Sequence, residues 1–129
     1  MMLIFINKSA ATISDSLFMT VGNIPITKSD MVNEIKLILI LNNESYAEEK
    51  REELQSLAVK SIVKRSVKQI ELERHDYFKY SENDLQKELI RIASLINVDL
   101  ETLKSILTSN ELNFTTLEDQ IKLELHWNS

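Results

Sequence analysis

From Ile26 to Ser129 the chain contains neither glycine nor proline, and its single Gly and single Pro, Gly22 and Pro25, both lie near its start. Folds rich in sheet use many more of both at their turns. A chain that dispenses with them over most of its length is mostly helical. The longest uninterrupted stretch runs from Glu44 to His75 (ESYAEEKREELQSLAVKSIVKRSVKQIELERH). About thirty helical residues at a rise of 1.5 Å would span roughly 45 Å, so this stretch is predicted to be the spine of the fold.

The charges of the spine suit a helix. Glu48, Glu49, Glu52 and Glu53 crowd its first turns and Lys60, Lys64, Arg65 and Lys68 come later, as the macrodipole favours. Ala47, Leu54, Ala58 and Ile62 make one apolar stripe, with Leu57 at its edge, whereas Val59, Val63, Val67 and Ile70 make a second. At 100° per residue the two lie well over 100° apart. The spine is therefore expected to be gripped on one side near its start and on another near its end.

The flanking segments supply its neighbours. Leu17 to Thr27 (LFMTVGNIPIT) reads as two short strands around Gly22-Asn23, which offers the positive φ of a tight hairpin. A lone hairpin is marginal and must dock on helices. A first helix is predicted from Ser29-Asp30 to Asn42, with Val32, Ile35 and Leu39 as its core stripe and Leu37 and Leu41 on the opposite face. An apolar back on an amphipathic helix is either sandwiched between layers or presented to a partner. After the spine, Tyr77, Phe78 and Tyr80 form an aromatic cluster, and Ser81 with Asp84 opens a third helix carrying Leu85, Leu89, Ile92, Ala93 and Ile96. Asp99 is a candidate N-cap for a short helix with Leu100, Leu103 and Leu107. Thr115 with Glu118 reads as a capping box before Leu117, Ile121 and Leu125.

Length and charge narrow the function. A chain of 129 residues is one domain with room for a real core. A net charge of −5 argues against a sequence-independent hold on nucleic acid or anionic lipid. With no cysteine there is no disulfide and no thiolate nucleophile. No apolar run approaches the length needed for stable membrane insertion. Residues 1–14 read as a lead-in that is either a truncated signal peptide or a frayed apolar terminus: Met1 to Ile6 is apolar, and Ser9 and Ala11 stand at the −3 and −1 spacing of a signal cleavage site, without a basic region before them.

In their order and spacing, four segments carry a family resemblance: VGNIPITKSDM, YSENDLQKEL, IASLINVDLETLKSIL and LNFTTLEDQIKLEL. Over roughly Leu17 to Trp127 the chain resembles the N-terminal chaperone domain of SurA-type periplasmic chaperones, with Asp99 where a hydroxyl residue is commoner. The resemblance implies a non-enzymatic, ATP-independent holdase for unfolded outer-membrane proteins in the periplasm of a Gram-negative bacterium, with no cofactor. Relatives of that kind continue into parvulin-type prolyl isomerase domains and send a last helix back to the chaperone core, and neither is in this sequence. On that basis Leu37, Leu41 and Trp127 are candidates for an apolar groove that a returning helix, a second copy or a client segment would fill. The alternative is that all three are ordinary core.

Other chemistry finds little support. His75 and His126 are alone on their segments and read as surface or helix-end residues; His75 suits the C-terminal carbonyls of the spine. Glu48-Glu49 and Glu52-Glu53 read as a solvated face, with no reason for raised pKa values. Lys60, Lys64 and Lys68 form a ridge that reads as the wet side of the spine. A helix-turn-helix reading of LIRIASLINVDLETLKSIL meets Asp99 and Glu101 at the head of its recognition helix, where phosphate would repel them. Two rivals to the holdase remain: the binding piece of a prolyl isomerase whose catalytic domain lies elsewhere, and a helical adaptor for one dedicated protein.

Overall fold

The computed structural model describes residues 15–75 and 79–128. They form β1 (Leu17–Val21), β2 (Ile24–Thr27), α1 (Lys28–Leu41), a 3-10 turn (Glu48–Lys50), α2 (Arg51–Glu73), α3 (Glu82–Leu95), α4 (Leu100–Ser109) and α5 (Phe114–Trp127). This is the predicted architecture, mainly helical with a small antiparallel hairpin first. The lead-in at residues 1–14, and Tyr77 and Phe78 of the aromatic cluster, lie outside the described residues.

The hairpin closes where predicted, with Val21 opposite Ile24. Its positive φ falls on Gly22 alone of the two turn residues, at +59°, as in turns with glycine at the first central position. A Cβ there would also lie only 3.0 Å from Ile70 Cδ1, so the turn rests directly on α2. The α1 cap sits earlier than the predicted Ser29-Asp30. Thr27 Oγ1 accepts from the Asp30 N–H at 3.0 Å and the Thr27 N–H donates to Asp30 Oδ2 at 2.8 Å, a reciprocal capping box.

Helices in this chain end without glycine, and the same device ends three of them. Asn43, Asn97 and Glu111 take φ of +54°, +60° and +60°, and the next residue reaches back to the third carbonyl from the helix end. The N–H groups of Glu44, Val98 and Leu112 donate to the oxygens of Leu39, Ala93 and Leu107 at 2.9, 3.1 and 2.8 Å. These are Schellman closures, which satisfy orphan carbonyls and usually favour Gly at the left-handed position. The first of them explains why the spine is shorter than predicted. Glu44 completes the α1 closure, Ala47 stays extended at φ −133°, and a 3-10 turn intervenes before Arg51. The 23 residues of α2 span roughly 35 Å at 1.5 Å each.

Two apolar cores flank this spine. In the first, Ile26, Met31, Ala58 and Ile62 are buried, with Val21, Ile35, Ile38 and Val59 packed around them. In the second, Leu85, Leu89 and Ala93 of α3 meet Leu103 and Leu107 of α4, Leu117 and Ile121 of α5, and Leu37 of α1. Leu85, Leu89, Leu103 and Leu107 are wholly inaccessible, each contributing about 1.5–3 kcal/mol of burial. Because α1 feeds both cores, its apolar back is sandwiched. The predicted α1 stripe needs correction: Val32 is 52% exposed, and Met31, Glu34, Leu37 and Leu39 are the buried positions. On α2 the buried stripe runs straight through Leu54, Ala58, Ile62 and Ser66, while Val67 of the second stripe stays exposed.

Candidate functional site

Between the C-terminal half of α2 and α5 runs an open cleft of about 730 Å³. Leu72, Leu123 and His126 line it together with Gln69 and Gln120. A second cavity of about 390 Å³ extends past Asn33 and Glu34 to Pro25 of the hairpin. Arg65, Gln69, Thr116 and Gln120 border both, so the two cavities are neighbours across these side chains. The pairs Arg65/Gln69 and Thr116/Gln120 each occupy one helical turn on their own helix, which aligns the side chains along the cleft.

The charged groups of this region are largely matched within the chain. Glu34 is 7% exposed and takes both guanidinium ends of Arg65, with Nη1 to Oε2 at 3.3 Å. Gln69 donates to Glu73 at 3.1 Å. Lys68 crosses from α2 to Glu124 of α5 at 2.8 and 2.9 Å, with its ammonium 5.6 Å from the centre of the Trp127 ring. The side chain of Lys68 is only 12% exposed. It therefore ties two helices together, in contrast to the solvated ridge predicted for Lys60, Lys64 and Lys68. Lys36 makes a further tie from α1 to the Asn110 carbonyl at 3.1 Å.

The three candidate groove residues are not gathered into one open surface. Leu37 is 6% exposed inside the second core, and only its edge reaches the smaller cavity. Leu41 is half-buried against the same core. Trp127 is 42% exposed at the end of α5, beside Lys68. His75 is exposed at the end of the spine, 3.5 Å from Glu71. His126 departs from the surface reading: it is 4% exposed and forms part of the cleft wall. It falls on the same face of α5 as Leu123, one turn back, so the helix that buries Leu117 and Ile121 also carries it inward.

Displaced titrations have local causes at some distance from this cleft. Asp99, the N-cap of α4, accepts from the Thr102 side chain and from its N–H at 2.7 Å, and these bonds hold its carboxyl below the ordinary aspartate range. Glu88 is likewise lowered by its bond from Arg91. The Tyr46 hydroxyl donates to Glu48 at 2.9 Å, and losing that proton beside a carboxylate is disfavoured, so its pKa is raised. Among the described residues no three acidic, His or Cys side chains are grouped to hold a metal ion. No helix there is long and apolar enough to cross a membrane.

The cleft residues were not singled out by sequence. Gln69 and Gln120 sit in amphipathic helices as ordinary polar positions, and only the approach of α2 to α5 brings them together. Compared with known protein families, curated proteins and solved structures, the chain matches none.

Proposed function

We propose that this chain is an ATP-independent, non-enzymatic holdase module of the periplasm that binds unfolded outer-membrane proteins. The observation that carries the reading is the open cleft between α2 and α5, about 730 Å³ in volume and within the size range of binding pockets. Half-buried Leu72 and Leu123 offer it apolar surface, and around them Gln69, Thr116 and Gln120 stand beside charges of both signs, Arg65 and Lys122 against Glu73 and Asp119. Burial of apolar client side chains against these leucines supplies the affinity. The acidic surface, with its net charge of −5, keeps the complex in solution. The order of elements also supports the reading, because hairpin, helix, long helix and three shorter helices follow one another as the SurA-type resemblance implies. The binding surface moves from Leu37, Leu41 and Trp127 to the cleft.

The test is aggregation of a chemically unfolded outer-membrane β-barrel protein on dilution, with and without the purified chain and without nucleotide. Dose-dependent suppression at stoichiometric ratios is expected. No suppression by a folded sample overturns the proposal in favour of a dedicated adaptor, which tight binding to one folded protein would identify. Genomic sequence encoding a parvulin domain after Ser129 would make the chain the binding piece of a prolyl isomerase.

A further inference from the structure

We propose that the cleft between α2 and α5 seats an extended, uncharged stretch of polypeptide and reads its main chain through the side-chain amides of Gln69 and Gln120. This rests on the reading that the chain binds unfolded polypeptide, and it names the part of such a chain that is recognised.

Spacing is the first reason. Positions four apart on a helix lie about 6 Å apart along its axis, and an extended strand repeats every two residues over about 6.6–6.8 Å. Arg65 and Gln69 on α2, and Thr116 and Gln120 on α5, therefore present polar groups at nearly the interval at which one edge of an extended chain presents its N–H and C=O pairs. A carboxamide offers both a donor and an acceptor, as a peptide group does.

Charge is the second. Arg65 is engaged by Glu34, and Glu73 accepts from Gln69. Over the lining the charges balance, Asp119 and Glu73 against Arg65 and Lys122, and the Lys122 ammonium lies 5.6 Å from the centre of the Tyr80 ring, so neither sign of charge is favoured in a ligand. What remains for a ligand is neutral hydrogen-bonding capacity. Gln120 is half-buried, and its carboxamide makes no hydrogen bond among the described residues. Gln69 keeps its carbonyl oxygen after donating to Glu73.

Leu72 and Leu123 complete the match, since side chains on one face of the strand can rest on them while its edge pairs with the glutamines. Recognition of this kind tolerates many sequences, because the paired groups are common to all of them. It fails where the ligand lacks its N–H groups.

The experiment uses a capped, fluorescein-labelled decapeptide of Ser, Thr, Ala and Val, and the same peptide N-methylated at alternate residues along one edge. Anisotropy is measured with the wild-type chain and with the Gln69→Leu/Gln120→Leu variant, both checked by circular dichroism. The unmodified peptide is expected to bind wild type at least tenfold more tightly than the methylated one, and the variant is expected to bind both equally weakly. The proposal is overturned if methylation changes wild-type affinity by less than twofold, if the variant retains the discrimination, or if the unmodified peptide does not bind. Methylation leaves the protein untouched, so a misfolded variant cannot decide the matter alone. Suppression of β-barrel aggregation alongside indifference to methylation would leave the holdase reading standing and remove only main-chain recognition. Loss of both would remove the two together.

Discussion

Replacing Glu34 with Leu should leave the Arg65 guanidinium without its partner at the border of the two cavities. Breaking a buried ion pair by removing one member costs about 3–5 kcal/mol, most of it the uncompensated charge. Arg65 is 23% exposed, against 7% for the Glu34 side chain. It regains part of its solvation from the cleft, and about 2–3 kcal/mol is the expected loss. Pairing the change with Arg65→Met removes the stranded charge, and the double variant should come within about 1 kcal/mol of wild type. Urea unfolding followed by far-ultraviolet circular dichroism, over the full double-mutant cycle, gives the coupling directly. A coupling above about 1.5 kcal/mol is expected. It should change little with added salt, since partly buried pairs are weakly screened. If the two single losses simply add, or Glu34→Leu costs under about 0.5 kcal/mol, the pair is an ordinary surface contact and the reasoning fails.

Three further outcomes follow from the backbone, the core and a cap. Gly22→Ala should cost about 1–2 kcal/mol from its φ of +59° alone, and less in an Ile70→Val background, which deletes the Cδ1 atom lying 3.0 Å from the new Cβ; equal losses in both backgrounds, by urea midpoint, would refute the contact. Glu111→Gly should raise stability by about 0.5–1 kcal/mol, because an exposed non-glycine residue holds a left-handed closure at φ +60°, and an unchanged midpoint would contradict that. Leu37→Asp should unfold the chain whereas Val32→Asp should be tolerated, given exposures of 6% and 52%; a folded Leu37→Asp protein would restore Leu37 to an accessible groove.

The pH dependence of Asp99 has a definite sign. Its folded pKa is lowered by the bonds from Thr102, so its stabilisation is complete above the unfolded aspartate value of about 3.9 and is lost as pH falls through the folded value. Wild type should exceed Asp99→Asn in thermal midpoint at neutral pH, and the gap should close in strong acid. A gap independent of pH would show that the carboxylate charge does not matter at this cap.

Local signals made much of the fold legible. Gly22 marked the hairpin, Ser81 and Asp99 marked the starts of α3 and α4, and Leu85, Leu89 and Ala93 marked a buried face because their four-residue spacing stacks them on one side of α3. Where several choices satisfied one rule, sequence reading erred. Thr27-x-x-Asp30 competed with Ser29, and Asn113, accepting from the Thr115 N–H at 3.0 Å, took the cap assigned to Thr115 with Glu118. On α1, apolar residues at 31, 32, 35 and 37–41 surround the helix, so a 3.6-residue period cannot say which one is left outside. Only the docking of α3 to α5 on one flank and of the hairpin on the other decides for Leu37 and against Val32. The cleft was illegible for a related reason, since it belongs to two helices more than forty positions apart. Nothing in i, i+4 spacing separates Lys68, which spans to Glu124, from Lys60 and Lys64.

The central claim is that unfolded polypeptide occupies the space between α2 and α5. The most direct measurement is nuclear magnetic resonance of the isotopically labelled chain with an unfolded β-barrel fragment carrying a nitroxide. Paramagnetic broadening is expected to concentrate at Gln69, Leu72, Thr116, Gln120 and Leu123. Broadening confined to the outer face of α3 around Ile90 and Leu95, or spread evenly over the surface, would contradict it.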